Sequence, residues 1–116
     1  MATFSFFQNA EDFEIYTSGQ TIFNKGDAGT VMYVVKQGEV ELQTDNRTFT
    51  TIGPGGIIGE MALIDQEPRS LTAVAKIECQ LIPIDQKRFN FLVQQTPFFA
   101  LEVMKIMAER LRAIHR

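Results

Sequence analysis

The sequence predicts a mainly β fold, an antiparallel jelly-roll or β-roll of about eight short strands, followed by two C-terminal helices. Three observations predict it. Short runs of branched and aromatic residues alternate with Gly-rich turns up to Ile84. No crossover helix of ten or more residues separates these runs, which argues against a parallel sheet. After Ile84 the apolar period lengthens from two to between three and four.

Each element has a local reason. Thr21, Ile22 and Phe23 form a β-prone run that ends at Asn24-Lys25-Gly26-Asp27, where Gly26-Asp27 and Gly29 mark a turn. Residues 31–38, VMYVVKQG, read as a strand closed by Gly38. In EVELQ, Val40 and Leu42 share one face, while Glu39, Glu41 and Gln43 take the other. Asp45-Asn46 turns the chain into RTFTTI, a hairpin. GPGG at 53–56 breaks regularity. EMAL, entered directly from Gly59, is a short helix-prone segment. LTAVAKI and CQLIPI are further strands, with Pro83 expected at an edge or strand end because it has no N–H to donate.

The helical part begins with Asp85 as N-cap for QKRFNFLVQQ, with Phe89, Leu92 and Val93 on one face. Pro97 opens a second helix running to the C-terminus, with basic residues gathered at its end. Ala100, Met104, Met107, Leu111 and Ile114 space as a coiled-coil seam. Phe99, Val103, Ile106 and Ala113 form a second apolar stripe. Both stripes fit a buried core. Equally, one fits the β part and the other fits a partner or a ligand.

The bulk numbers exclude several function classes. A chain of 116 residues with 45% hydrophobic content suits one domain with one core. A net charge of −3 argues against broad nucleic-acid binding. No apolar run approaches the length needed to span a bilayer, and the N-terminus lacks the pattern of a signal peptide. Cys79 is the single cysteine and His115 the single histidine. A His/Cys metal site and a Ser-His-Asp or Cys-His arrangement are therefore not expected. No phosphate-loop or dinucleotide fingerprint is present. The expectation is a cytoplasmic binding protein, not an enzyme, without a cofactor.

One stretch carries chemistry. IIGEMALIDQEPRSLTA, residues 57–73, places Glu60 at the start of the short helix and Arg69 behind Pro68. The first N–H groups of that helix have no partner within it and carry partial positive charge. With the Arg69 guanidinium beside them they form an anion site that suits phosphate. Glu60 repels phosphate, so it fits only a ligand that also presents hydroxyls, such as a sugar phosphate. A second reading uses the same residues. Glu60 then simply favours a helix N-terminus, Arg69 pairs with Asp65 or Glu67, and the glycines only make turns.

This stretch resembles the phosphate-binding cassette of the cyclic-nucleotide-binding domain family. The family includes bacterial catabolite activators, regulatory subunits of cyclic-AMP-dependent kinase and nucleotide-gated channels. The pattern is matched by Gly59, Glu60, Met61, Ala62, Leu63, Pro68, Arg69 and Ser70, and GQTIFNKGDAGTVMYVVKQGEVEL resembles the family's earlier strands. The resemblance covers residues 19–114. It implies a β-roll over 19–84 with a cassette at 57–73, a hinge helix at 85–96 and a lid or dimerisation helix at 97–116.

The resemblance also implies roles. Arg69 pairs with the cyclic phosphate, and Glu60 accepts from the ribose 2′-hydroxyl. The N–H groups of Met61, Ala62 and Ser70 add phosphate contacts beside Gly59, and the Ser70 hydroxyl touches phosphate or a purine edge. Residues of the Val31–Val35 and Leu71–Val74 strands wall the sugar and base, and Ile114 and His115 fall near the base. The implied ligand is cyclic AMP or cyclic GMP, and Ser70 does not choose between them. No helix-turn-helix follows the lid in this sequence, so the expected output is through a separate effector protein, with a homodimer through 97–116, and not by direct DNA binding. The competing expectation is a β-roll scaffold with a vestigial pocket. A cupin-type enzyme would need histidine ligands that are missing.

Overall fold

The computed structural model describes residue 7, residues 9–45 and residues 47–114, with Ile114 described by its backbone only. Among the described residues there are eight strands and three helices. By contact density the chain divides into Met1–Asp85 and Gln86–Arg116.

The first unit holds two four-stranded antiparallel sheets and one short helix, Glu60–Asp65. One is ordered β1 (Glu14–Tyr16), β8 (Cys79–Asp85), β3 (Val31–Gln37), β6 (Ile57–Ile58). The other is ordered β2 (Thr21–Phe23), β7 (Thr72–Ala75), β4 (Val40–Thr44), β5 (Arg47–Ile52). A core cluster joins them: Val35, Ile58, Cys79 and Leu81 come from the first sheet, and Phe23, Val40, Leu42, Ala73 and Ala75 from the second. The expected alternation of Val40 and Leu42 against Glu41 and Gln43 is what builds this layer. On the opposite face of the first sheet, Met32, Val34, Ile57, Ile82 and Ile84 are also fully buried. Burial of both faces explains why β3 and β8 read as nearly continuous apolar runs, not as strict alternation.

Turns follow the glycines. Gly26, Gly38, Gly55 and Gly59 all take positive φ. Thr44 pairs with Arg47, so the hairpin closes over two residues, with Asp45 at φ 51; Asn46 lies outside the described residues. Pro83 departs from the expected edge position. It sits inside β8, which lies between two partners in its sheet. Pairing with β1 stops at Leu81, however, so no β1 acceptor faces the missing N–H.

Two short strands were not legible as such. β1 has three residues and pairs with β8 at Glu14↔Leu81, far along the chain. β6 has two residues held beside Tyr33 and Val34.

The second unit holds α2 (Gln86–Gln95), which starts directly after Asp85, and α3 (Pro97–Ile114). Thr96 joins them: its N–H donates to the Leu92 carbonyl, and its own carbonyl accepts from Phe99, both at 2.8 Å. Phe89 and Phe99 meet edge-to-face at 5.5 Å. Along the first half of α3 the two stripes differ in burial, while Ile106 and Met107 are both half-buried and Ala113 is exposed. Phe99 and Val103 are buried, whereas Met104 (58%) and Leu111 of the coiled-coil seam are exposed, as are Leu101 and Phe98 (74%). No helix among the described residues is long and apolar enough to cross a membrane.

Candidate functional site

The site is built around Arg69, and the loop between β2 and β3 positions its backbone. The Arg69 N–H donates to the Asp27 carbonyl at 2.8 Å, and the Arg69 carbonyl accepts from the Gly26 N–H at 2.8 Å. That loop is itself closed by the Asp27 carboxylate, which accepts from the Asn24 N–H three residues earlier at 2.9 Å. The Lys25 N–H donates to the Thr72 hydroxyl at 2.9 Å, tying the loop to β7 just past the arginine.

The guanidinium turns inward. Nη1 donates to the Gly59 carbonyl at 3.0 Å, and Nη2 donates to the Val31 carbonyl at 2.6 Å. Cζ lies 4.0 Å from the centroid of the Phe23 ring. Nε is buried and has no hydrogen-bond partner among the described residues. Burial disfavours the charged form and lowers the Arg69 pKa from its ordinary value; Tyr33, Asp27 and Glu60 act against that shift. An arginine so placed stays charged, but its charge is little screened by water.

α1 (Glu60–Asp65) supplies the rest. Gly59 stands at its N-cap with φ 77 and makes no side-chain cap, so the first-turn N–H groups lack that usual partner. Glu60 opens the helix at 1% exposure, and Ala62 and Leu63 are buried with it. Gln66 caps the end of the helix, and its N–H donates to the Ala62 carbonyl at 2.9 Å.

The expected site residues therefore divide. Gly59, Glu60, Ala62 and Arg69 come together around one buried guanidinium. Met61 is half-buried in the same turn, and Ser70 is exposed beside Arg69. Ile114 is described by its backbone only, and His115 lies outside the described residues. The surface-pair alternative for Arg69 is overturned: the arginine is 6% exposed, and its charged neighbours are Asp27 and Glu60. Asp65 instead accepts from the Glu67 N–H at 3.0 Å. Sequence reasoning missed Phe23 and the Val31 carbonyl as arginine partners. Only the antiparallel pairing of strands distant in sequence brings them there.

The cyclic nucleotide-binding domain profile matches residues 13–96. The chain is 34% identical over 113 residues to the cyclic AMP receptor protein of Thermus thermophilus, covering 93% of this chain and 50% of that protein. It is 36% identical over 90 residues to a cAMP-dependent protein kinase regulatory subunit of Eremothecium gossypii, covering 78% of this chain and 20% of that one. The crystal structure of the Thermus thermophilus catabolite activator protein superposes with a TM-score of 0.78 at 33% identity, over 89% of this chain and 52% of that chain. The chain thus spans about half the length of the Thermus relative or less of the others. With eight antiparallel strands in two sheets and a Gly-Glu helix facing a buried arginine, the chain belongs to the cyclic nucleotide-binding domain family.

Proposed function

We propose that this chain is a sensor domain for a 3′,5′-cyclic purine nucleotide, cyclic AMP in preference to cyclic GMP, bound at the segment from Gly59 to Ser70. One observation carries the reading: a guanidinium 6% exposed beside an uncapped helix start. A guanidinium has five N–H donors, and hydrogen bonds to two carbonyls leave others for a ligand. A singly charged phosphate diester offers the matching acceptors and offsets the cost of the buried cation. The names of the Thermus and Eremothecium relatives support cyclic AMP as the first ligand to test.

In this reading Arg69 pairs with the phosphate, the N–H groups of Met61, Ala62 and Ser70 add donors, and Glu60 accepts from the ribose 2′-hydroxyl. The Ser70 hydroxyl reaches phosphate or the purine edge. The domain binds and does not catalyse, needs no cofactor, and works in the cytoplasm. Helix 97–116 moves on binding, pairs with a second copy and hands the signal to a separate effector. The exposed Leu101, Met104 and Leu111 of α3 support that partner role. Movement requires that the ligand bind one helix position more tightly than the other.

Calorimetric titration of the parent and of Arg69→Ala with cyclic AMP and cyclic GMP tests the assignment. The parent binds, cyclic AMP the more tightly, and Arg69→Ala loses about 2–5 kcal/mol. Equal affinity of parent and variant overturns it. One observation favours a scaffold with a disused pocket: two of the arginine's nitrogens already bond the chain's own carbonyls. In that case Arg69→Ala lowers stability, and neither nucleotide binds the parent.

A further inference from the structure

Gly29 is not a turn glycine. It is absent from the positive-φ positions that include its neighbour Gly26, so any small residue fits its backbone conformation. What it lacks is room. A Cβ there would stand 2.6 Å from the Ala62 Cβ and 2.9 Å from both Cζ and Nε of Arg69. Neither side retreats freely. The loop is bonded to the Arg69 backbone through Asp27 and Gly26, and Val31, two residues after Gly29, holds Nη2. On the other side Ala62 is buried in α1. Gly59 closes the opposite flank, where a Cβ would meet Nη1 at 2.4 Å.

We propose that Gly29 is a positioning residue for Arg69. The gap between the β2–β3 loop and α1 holds one methyl group, that of Ala62, and the guanidinium borders the same gap. A second methyl, on residue 29, forces Arg69 off its two carbonyl partners or drives α1 away from the loop, taking Glu60 and the first-turn N–H groups with it. Either movement spoils the anion grip, because recognition by oriented donors depends on sub-ångström placement. Moving the methyl across the gap, from residue 62 to residue 29, keeps the occupancy at one. This inference rests on the reading of Arg69 as the anion-binding residue.

The test uses the full chain, labelled with ¹⁵N, as parent, Gly29→Ala and the double variant Gly29→Ala/Ala62→Gly. The first readout needs no ligand: the Nε–H resonance of Arg69, assigned by its loss in Arg69→Lys. It shifts or broadens in Gly29→Ala and returns towards the parent position in the double variant. The second readout is calorimetry with cyclic AMP. Gly29→Ala weakens binding by about tenfold or more, and the double variant recovers to within about threefold of the parent. An unmoved Arg69 resonance in Gly29→Ala overturns the proposal, as does a double variant no closer to the parent than the single one. Should Gly29→Ala fail to fold, the double variant decides by the same resonance. A parent that binds no cyclic AMP defeats the ligand reading alone, since the resonance still reports on the slot.

Discussion

The central carbon of the Arg69 guanidinium lies 4.0 Å from the centroid of the Phe23 ring, and both side chains are buried. β2 and the segment that follows α1 thus meet in a contact where a cation rests on an aromatic ring away from water. Such contacts are worth about 2 kcal/mol or more when desolvated, against about 0.5–1 at exposed sites. A double-mutant cycle with Phe23→Leu and Arg69→Met, followed by urea unfolding, should return a coupling of about 1–2 kcal/mol. Additive effects would mean that the ring only fills space.

Glu60 and Arg69 should differ in what they contribute to binding. Glu60→Gln keeps an acceptor oxygen and should cost about 1–2 kcal/mol in cyclic AMP affinity. Arg69→Ala, which leaves a buried anion unmatched, costs more. Calorimetry on the two variants checks the order, and a larger loss for Glu60→Gln would refute the assigned roles. A 2′-deoxy ligand should bind the parent and Glu60→Gln more nearly alike than cyclic AMP does.

Two glycines offer a contrast in stability that needs no ligand. Gly38 has φ 96, and a Cβ there would meet the Glu78 carbonyl oxygen at 2.4 Å. Gly38→Ala should therefore destabilise by about 2 kcal/mol or more, from left-handed strain and the collision with backbone. Gly53 has open space within 4 Å and no positive φ. Gly53→Ala should stay within about 0.5 kcal/mol of the parent. Chemical denaturation of the two variants decides.

Tyr16 should make the fold sensitive to alkali. Burial, then hydrogen bonds with Tyr33 and Glu14, push its pKa well above the ordinary phenol value. Its hydroxyl donates to Glu14 Oε1 at 2.9 Å. As pH rises past about 10, the unfolded chain loses this proton while the native state keeps it, so the native state weakens. The contribution is intact below the unfolded pKa and is lost as pH climbs towards the folded one. Tyr16→Phe should flatten the fall of Tm above about pH 10. Part of the slope should persist, because burial also raises the Cys79 thiol. An unchanged alkaline slope in Tyr16→Phe would count against the network.

The amino-acid order alone determined the elements whose signal is local. Alternation placed Val40 and Leu42 inward, Pro97 opened α3, and Gly26, Gly38 and Gly59 marked real positive-φ positions. The Gly-Glu and Pro-Arg-Ser stretches carried a resemblance to the cyclic nucleotide-binding domain family, whose profile matches residues 13–96. Tertiary structure alone decided what Arg69 does there. Its partners are Phe23, Gly29, Val31 and Gly59, which lie 46, 40, 38 and 10 residues away along the chain. No propensity or spacing rule reports that a glycine serves as clearance for a guanidinium. That role arises only when strand pairing brings a loop and a helix to within a methyl group of each other, where close packing makes each atom's volume count.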